Sequence, residues 1–297
     1  MMTEIIKCKL CNCNNFKERN GKIRSNSSIK ANKILECLNC SLVFLNDDSH
    51  ISESFYEESS MDSRANNLEE WRLDTFSDDL RRYDLLKHEI KGSKIIDVGS
   101  GNGNFVKLCS NISKEAYGLE IEEKYHKDFQ KENLKIFSNR NEINFRLDLV
   151  VTFHVIEHVD DPIKFLQSLL NFLKPGGKLY IETPNSNDAL LKLYNLTAFK
   201  NFIYWDNHLI LFNYKSFEYL CNRFSGIKFK SFPVQRYGVS NHLYWLINKK
   251  PGGNKIWKFL GNKTINNLYK NFLYKLGMND TLFYQIVKID NTSLNRS

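Results

Sequence analysis

The sequence predicts an α/β fold, a parallel β-sheet covered by helices on both faces, preceded by a small cysteine-bearing module. Three observations predict it. Short, continuously apolar segments alternate with amphipathic ones from residue 94 to 183, the pattern of strands buried on both faces. A glycine-rich turn, Asp97-Val98-Gly99-Ser100-Gly101-Asn102-Gly103, joins the first of these strands to the next helix. Two Cys-x-x-Cys pairs lie within the first forty residues.

The chain has 297 residues, 42% of them hydrophobic and 13% aromatic. That suffices for one large domain with a small appendage. The net charge of +8 is spread along the chain. It suits acidic substrates, such as phosphorylated or nucleotide-linked metabolites, and does not demand nucleic acid; its ordinary reading is solvated surface. No stretch approaches the ~20 apolar residues of a membrane span. The first residues lack the apolar segment of a secretory signal, so a cytoplasmic protein is expected.

From the N-terminus, Cys8-x2-Cys11 and Cys37-x2-Cys40 form two knuckles, each aiming two thiolates at one tetrahedral ion. They predict a zinc ribbon over residues 1–46, with structural Zn2+ held by Cys8, Cys11, Cys37 and Cys40. Each knuckle wants a residue tolerant of left-handed geometry after its second cysteine, here Asn12 and Ser41. Cys13 is surplus, or it replaces Cys11 if the first knuckle is distorted. Leu42 to Leu45 reads as a strand. Residues 47–91 read as a linker and a helix (68–90), whose Leu68, Trp71, Leu73, Phe76, Leu80, Tyr83, Leu85 and Leu86 fall near a 3.6-residue period. This region is expected to cover a ligand site.

Residues 92–297 form the main domain. Strands are predicted at 94–98, 115–119, 134–137, 148–153 and 177–183, with helices at 103–112, 122–132 and 161–173. Lys174-Pro175-Gly176-Gly177 reads as a helix stop and turn. A helix at 214–224, a strand at 227–232 and a closing strand at 281–289 follow. Residues 240–276 form an aromatic, Lys-rich insertion, expected to be a helical lid or a homodimer contact that buries its aromatics. A membrane-surface face, or contact with single-stranded RNA, is the alternative reading of that segment.

Glycines in the 99–103 turn let a ligand approach the backbone, and the helix after them offers free N–H donors. Glu120 ends the next strand about twenty residues on, where a carboxylate accepts both hydroxyls of an adenosine ribose. That spacing fits NAD and S-adenosylmethionine alike. Asp97, which would repel a pyrophosphate, suits a cationic aminoacyl-sulfonium group.

The segments IIDVGSGNGNF, GLEI, DLVVTFHVIEHVDDP and LKPGGKLYIETPN, in that order over about 94–184, resemble the successive motifs of class I S-adenosylmethionine-dependent methyltransferases. The resemblance implies a Rossmann-like, seven-stranded, mostly parallel sheet with one reversed strand. It implies that Asp97, Gly99, Gly101 and Gly103 cradle the methionine part and that Glu120 holds the ribose. Asn139 or Glu142 would flank the adenine, and the Phe153 backbone would pass close to the cofactor.

The ribbon with its CLNCSLVFL and FYEES segments is similar to the zinc-binding module of bacterial methyltransferases acting on nucleotide-linked sugars and related surface-polysaccharide precursors. In those enzymes a Tyr after the ribbon, here Tyr56, closes over the cofactor. Members that methylate carbon carry a Tyr-His-Glu-His-like segment. In Tyr204 to Phe212, His208 matches its final His, but Asn207 stands at the Glu. The chain is also too short to hold the further domain of those members. O- or N-methylation is therefore the expectation.

His154-x-x-Glu157-His158 matches an inverted zinc-peptidase pattern, which needs a helix; here it leaves a strand at a sheet edge, where a turn is expected. A base that accepts a proton from the acceptor is best sought in an imidazole, and His158 and His208 are the candidates. Two other functions stay open at this level. One is an RNA methyltransferase that uses the ribbon and basic surface; the other is a non-catalytic cofactor-binding scaffold.

Overall fold

The computed structural model describes residues 6–24, 33–47 and 67–289; Tyr56 lies outside them. Three short antiparallel strands come first: β1 (Phe16–Glu18), β2 (Ile34–Cys37) and β3 (Val43–Leu45). Helix α1 (Leu68–Ile90) follows, its start fixed by the Asn67 side chain, which accepts from the Glu70 N–H. Such a cap contributes about 1 kcal/mol. Next come β4 (Lys94–Val98), α2 (Asn104–Cys109), β5 (Glu115–Leu119), α3 (His126–Lys131), β6 (Lys135–Phe137) and β7 (Leu147–Phe153). Helix α4 (Pro162–Phe172), capped by Asp161 with Pro162 in its first turn, leads into β8 (Leu173–Pro184). Short helices α5 (Ala189–Lys192) and α6 (Thr197–Ile203) precede β9 (Ile210–Leu211), α7 (Tyr214–Cys221) and β10 (Ile227–Ser231). Helices α8 (Val239–Asn248), α9 (Gly253–Ile256) and α10 (Lys263–Lys275) separate β10 from β11 (Thr281–Lys288).

The main sheet has seven strands in the order β10-β11-β8-β7-β4-β5-β6. The run from β8 to β6 is parallel, and β11 is antiparallel to both its neighbours. One strand is therefore reversed. Both faces are buried, as the continuous apolar strands require. Ile95, Leu149, Val151, Tyr180 and Phe283 pack with Leu86 and Ile90 of α1. Ile96, Val150, Leu179, Ile181 and Tyr284 pack on the other face with Leu166 and Leu169 of α4 and Phe217 of α7.

Strand β9 does not join this sheet. It pairs with β3, Val43 opposite Leu211 and Phe44 opposite Ile210, and so completes a four-stranded sheet β1-β2-β3-β9. Leu10, Leu42 and Phe44 share one apolar cluster with Leu209, Ile210, Phe212 and the sheet residues beneath. The N-terminal module is thus built into the main body.

Three expectations are corrected. Helix α1 buries its apolar stripe only in part, through Leu68 and Leu86. Leu73, Phe76, Leu80 and Leu85 are exposed, and Arg72, Asp79 and Arg82 are buried instead. Lys174 to Gly177 is not a turn between helix and strand, because β8 begins at Leu173. Its pairing jumps from Leu147–Leu173 to Leu149–Lys178, so three extra residues bulge out, with Gly176 at φ 77°; bulges of this kind favour glycine. In the 240–276 insertion, Tyr244 and Trp245 are buried, Trp245 against Phe199 and Phe202, whereas Phe259 and Phe272 are exposed.

Candidate active site

Strand β4 has β5 on one side and β7 on the other, which places a crevice at the carboxyl ends of all three. A cavity of about 540 Å³ opens there. Its walls come from the glycine turn (Asp97, Gly99, Gly101), the end of β5 (Glu120, Ile121, Glu122), the turn after β7 (Phe153, His154, His158), helix α1 (Trp71, Asp78, Arg82) and Arg236. None of residues 240–276 lines it.

Gly99, Gly101 and Gly103 have φ of 76°, 51° and 72°, values costly for any side chain. The turn brings the Gly101 N–H to 2.7 Å from the Glu120 carboxylate, which also accepts from the Glu122 N–H at 3.1 Å. Glu120 is thereby fixed on the cavity wall. Asp97 is 4% exposed, and its Oδ1 is buried without a hydrogen-bond partner. Burial, with Asp79 and Glu120 nearby, pushes its pKa well above the usual carboxylate range against the pull of Arg82. Gly103 lies behind the wall, where a Cβ would come within 2.9 Å of Ile136, so its smallness serves packing. Asn139 and Glu142 also lie away from the cavity and cap each other's backbone in a short helical turn.

The turn after β7 builds the opposite end. His154 takes φ 58°, and Ile156–His158 makes a single 3-10 turn, unlike the helix a zinc peptidase needs. Glu157, with 0% exposure, accepts hydrogen bonds from His154 Nδ1 at 3.0 Å and Thr183 Oγ1 at 2.9 Å. Burial alone would raise its carboxyl; the His154 hydrogen bond and the surrounding imidazoles outweigh it and hold the pKa at about 2.

His158 donates its Nδ1–H to the Asn207 carbonyl at 2.7 Å, and His208 donates its own to the Ile203 carbonyl at 3.0 Å. The two rings stand 5.1 Å apart. Burial lowers both pKa values, that of His208 to about 4, so both are neutral at neutral pH. His208 reaches this position because its segment is tied to the ribbon. Leu45 donates to the Leu209 carbonyl at 3.1 Å, Asn213 to the Ser41 carbonyl at 2.8 Å, and Arg24 to the Tyr204 carbonyl at 2.8 Å.

An ion network forms the floor between the two ends. Arg236 binds both oxygens of Asp78 and approaches His154 Nε2 at 2.9 Å. Glu182, fully buried on β8, accepts from Arg81 at 2.7 Å and Arg82 at 3.1 Å. These residues escaped the sequence reading because their pairings span about a hundred residues or more. The signal available was the run of charges on one side of α1.

In the ribbon, the sulfurs of Cys8, Cys11, Cys37 and Cys40 all lie within 4.8 Å of one another, with Cys8–Cys40 at 3.5 Å and Cys11–Cys37 at 3.4 Å. Asn12 and Ser41 take φ of 58° and 64°. Cys13 stands outside this group, where its sulfur accepts from the Asn15 N–H.

Fold and cavity together define the class I, S-adenosylmethionine-dependent methyltransferase type. Residues 68–230, more than half of the chain, match a family model described as a methyltransferase domain, and the chain belongs to that family. It is similar to a ubiquinone biosynthesis O-methyltransferase of Xanthomonas euvesicatoria, 24% identical over 170 residues that cover 50% of this chain and 70% of that protein. It is 28% identical to a probable S-adenosylmethionine-dependent methyltransferase of Mycolicibacterium smegmatis over 109 residues, 35% of this chain and 42% of that one. A ubiquinone biosynthesis O-methyltransferase of Coxiella burnetii is 29% identical over 108 residues, covering 33% and 46%. The chain thus spans less than half the length of the last two. Among solved structures, an S-adenosylmethionine-dependent methyltransferase from Archaeoglobus fulgidus is 21% identical and covers 70% of this chain and 91% of its own, with a TM-score of 0.45. No helix among the described residues is long and apolar enough to cross a membrane.

Proposed function

We propose that the protein transfers the methyl group of S-adenosylmethionine to a hydroxyl of a small acceptor. The observation that carries the reading is Asp97, a buried carboxylate oxygen without a partner, facing a glycine turn and Glu120 across one cavity. An ammonium group would give Asp97 both the partner and the positive charge it lacks. Glu120 would hold the ribose. When bound, the cofactor supplies an electrophilic methyl on a sulfonium. The chain's own work is to place the acceptor in line with that methyl and to exclude water. The relatives named as O-methyltransferases support oxygen as the methylated atom.

The acceptor end is the wall formed by His154, Val155 and His158, with Glu157 and His208 behind it. Asp78, Glu122 and Asp160 stand on the cavity wall, and its arginines are engaged by Asp78 and Glu182. A nucleotide-linked sugar or phosphorylated glycan precursor, the acceptor class suggested by the ribbon, would keep its phosphates at the rim. The ribbon itself fits a structural Zn2+. Four sulfurs at about 2.3 Å from one ion stand about 3.8 Å apart, close to the spacings seen here.

Calorimetry of the zinc-loaded protein with S-adenosylmethionine tests the core of this reading; absence of binding would refute it. Transfer of labelled methyl to nucleotide-linked sugars, compared with hydroxylated aromatic rings, then selects the acceptor class.

A further inference from the structure

We propose that Glu157, His158 and His208 bind a first-row divalent metal ion at the acceptor end of the cavity. The proposal rests on the acceptor-side reading of that wall given above. Among the described residues, two groups bring potential ligand atoms within 4.8 Å of one another: the four ribbon cysteines, and these three. Ligand atoms sharing one ion at about 2.1 Å stand about 3–3.5 Å apart, a separation that small side-chain rotations reach.

The donor chemistry points the same way. Two imidazoles and one carboxylate suit Mn2+, Fe2+, Co2+ or Zn2+ and leave positions for other oxygens. Each imidazole donates its Nδ1–H to a backbone carbonyl, Asn207 for His158 and Ile203 for His208. This fixes the tautomer that carries its lone pair on Nε2, the arrangement that orients metal-ligating histidines. Charge is the second argument. Glu157 is fully buried, and the hydrogen bonds shown for it come from His154 and Thr183, while Arg81 and Arg82 are bound to Glu182. A cation between this anion and two neutral imidazoles answers a buried charge that no guanidinium reaches.

An acceptor hydroxyl on the ion would lose its proton to water, as metal-bound water does. Its oxygen then bonds the methyl carbon while the C–S electron pair passes to sulfur, leaving a neutral thioether. The ligand class that follows is an acceptor with a hydroxyl and a neighbouring oxygen able to chelate.

The test uses Mn2+ alone, titrated into the full zinc-loaded chain and followed by electron paramagnetic resonance. Wild type should bind one equivalent. His208→Asn keeps an N–H for the Ile203 carbonyl but has no Nε2, and should weaken binding at least tenfold, as should Glu157→Gln. Thermal unfolding and S-adenosylmethionine binding are measured on the same samples. No Mn2+ binding by wild type, or equal binding by folded His208→Asn protein, overturns the proposal. Mn2+ binding without cofactor binding would leave the metal site standing and refute the methyl-transfer reading instead.

Discussion

Arg236 grips Asp78 with two guanidinium nitrogens although 158 positions separate them in sequence. One residue sits on the loop after β10 and the other on α1, so the pair ties the helix over the cavity to the loop that follows the sheet's edge strand. The side chains are 21% and 25% exposed, between the surface case, where such a pair contributes little, and the buried one.

Acid should loosen this tie in a definite window. Asp78 is held at about 2, against an ordinary 3.8: burial works upward, and Arg236, Arg82 and Arg81 more than reverse it. Glu182 is shifted in the same direction. A lowered folded-state pKa stabilises the protein fully above the unfolded value, and that contribution is lost as pH falls from about 4 through 2. Urea unfolding should show stability dropping across that window. Asp78→Asn should cost about 2 kcal/mol at pH 7 and flatten part of the drop. A variant as acid-sensitive as wild type there would refute the assignment.

Cofactor binding should release a proton. Asp97 has its pKa raised by burial, and a cationic ligand favours its ionised form, so affinity should strengthen as pH rises through that elevated value. Calorimetry in two buffers of different ionisation heat reads the proton directly. Asp97→Asn should weaken S-adenosylmethionine binding roughly ten- to a hundredfold, about 1.4–3 kcal/mol, and abolish the buffer dependence. Unchanged affinity would remove Asp97 from the cofactor site.

Chelating a Zn2+ held by the four ribbon sulfurs should be felt at His208. Because β3 pairs with β9 and Asn213 holds the Ser41 carbonyl, loss of the four-sulfur centre should lower the melting temperature. It should also speed amide exchange over residues 204–213 together with the ribbon. Faster exchange in the ribbon alone, with 204–213 still protected, would show the two to be uncoupled.

Much of this architecture was legible locally. The strands from 94 to 183, the glycine turn and the two knuckles are short patterns whose geometry depends on neighbours in sequence, and Asn12 and Ser41 take the left-handed conformation that their positions demanded. The apolar period of helix α1 marks its buried face only in part: Leu68 and Leu86 are buried, but Asp79 and Arg82 turn inward to the cavity, which a period of apolar residues does not reveal. Arg236 carried no signal at all; its partners are Asp78 and His154, both remote in sequence. His158 and His208 were singled out separately as alternatives, and only the ribbon's pairing with β9 shows that they stand side by side.

The same pairing sets a timetable for synthesis. The first three ribbon strands are made before the main sheet, yet the fourth, Ile210–Leu211, follows only after most of that sheet has been made. Until then β3 presents an apolar edge with open backbone groups, the kind that recruits strands from other chains. A nascent chain of this protein is therefore most prone to self-association in the interval between its first forty-five residues and its two hundred and eleventh, and whatever closes the ribbon early, metal included, does not remove that edge.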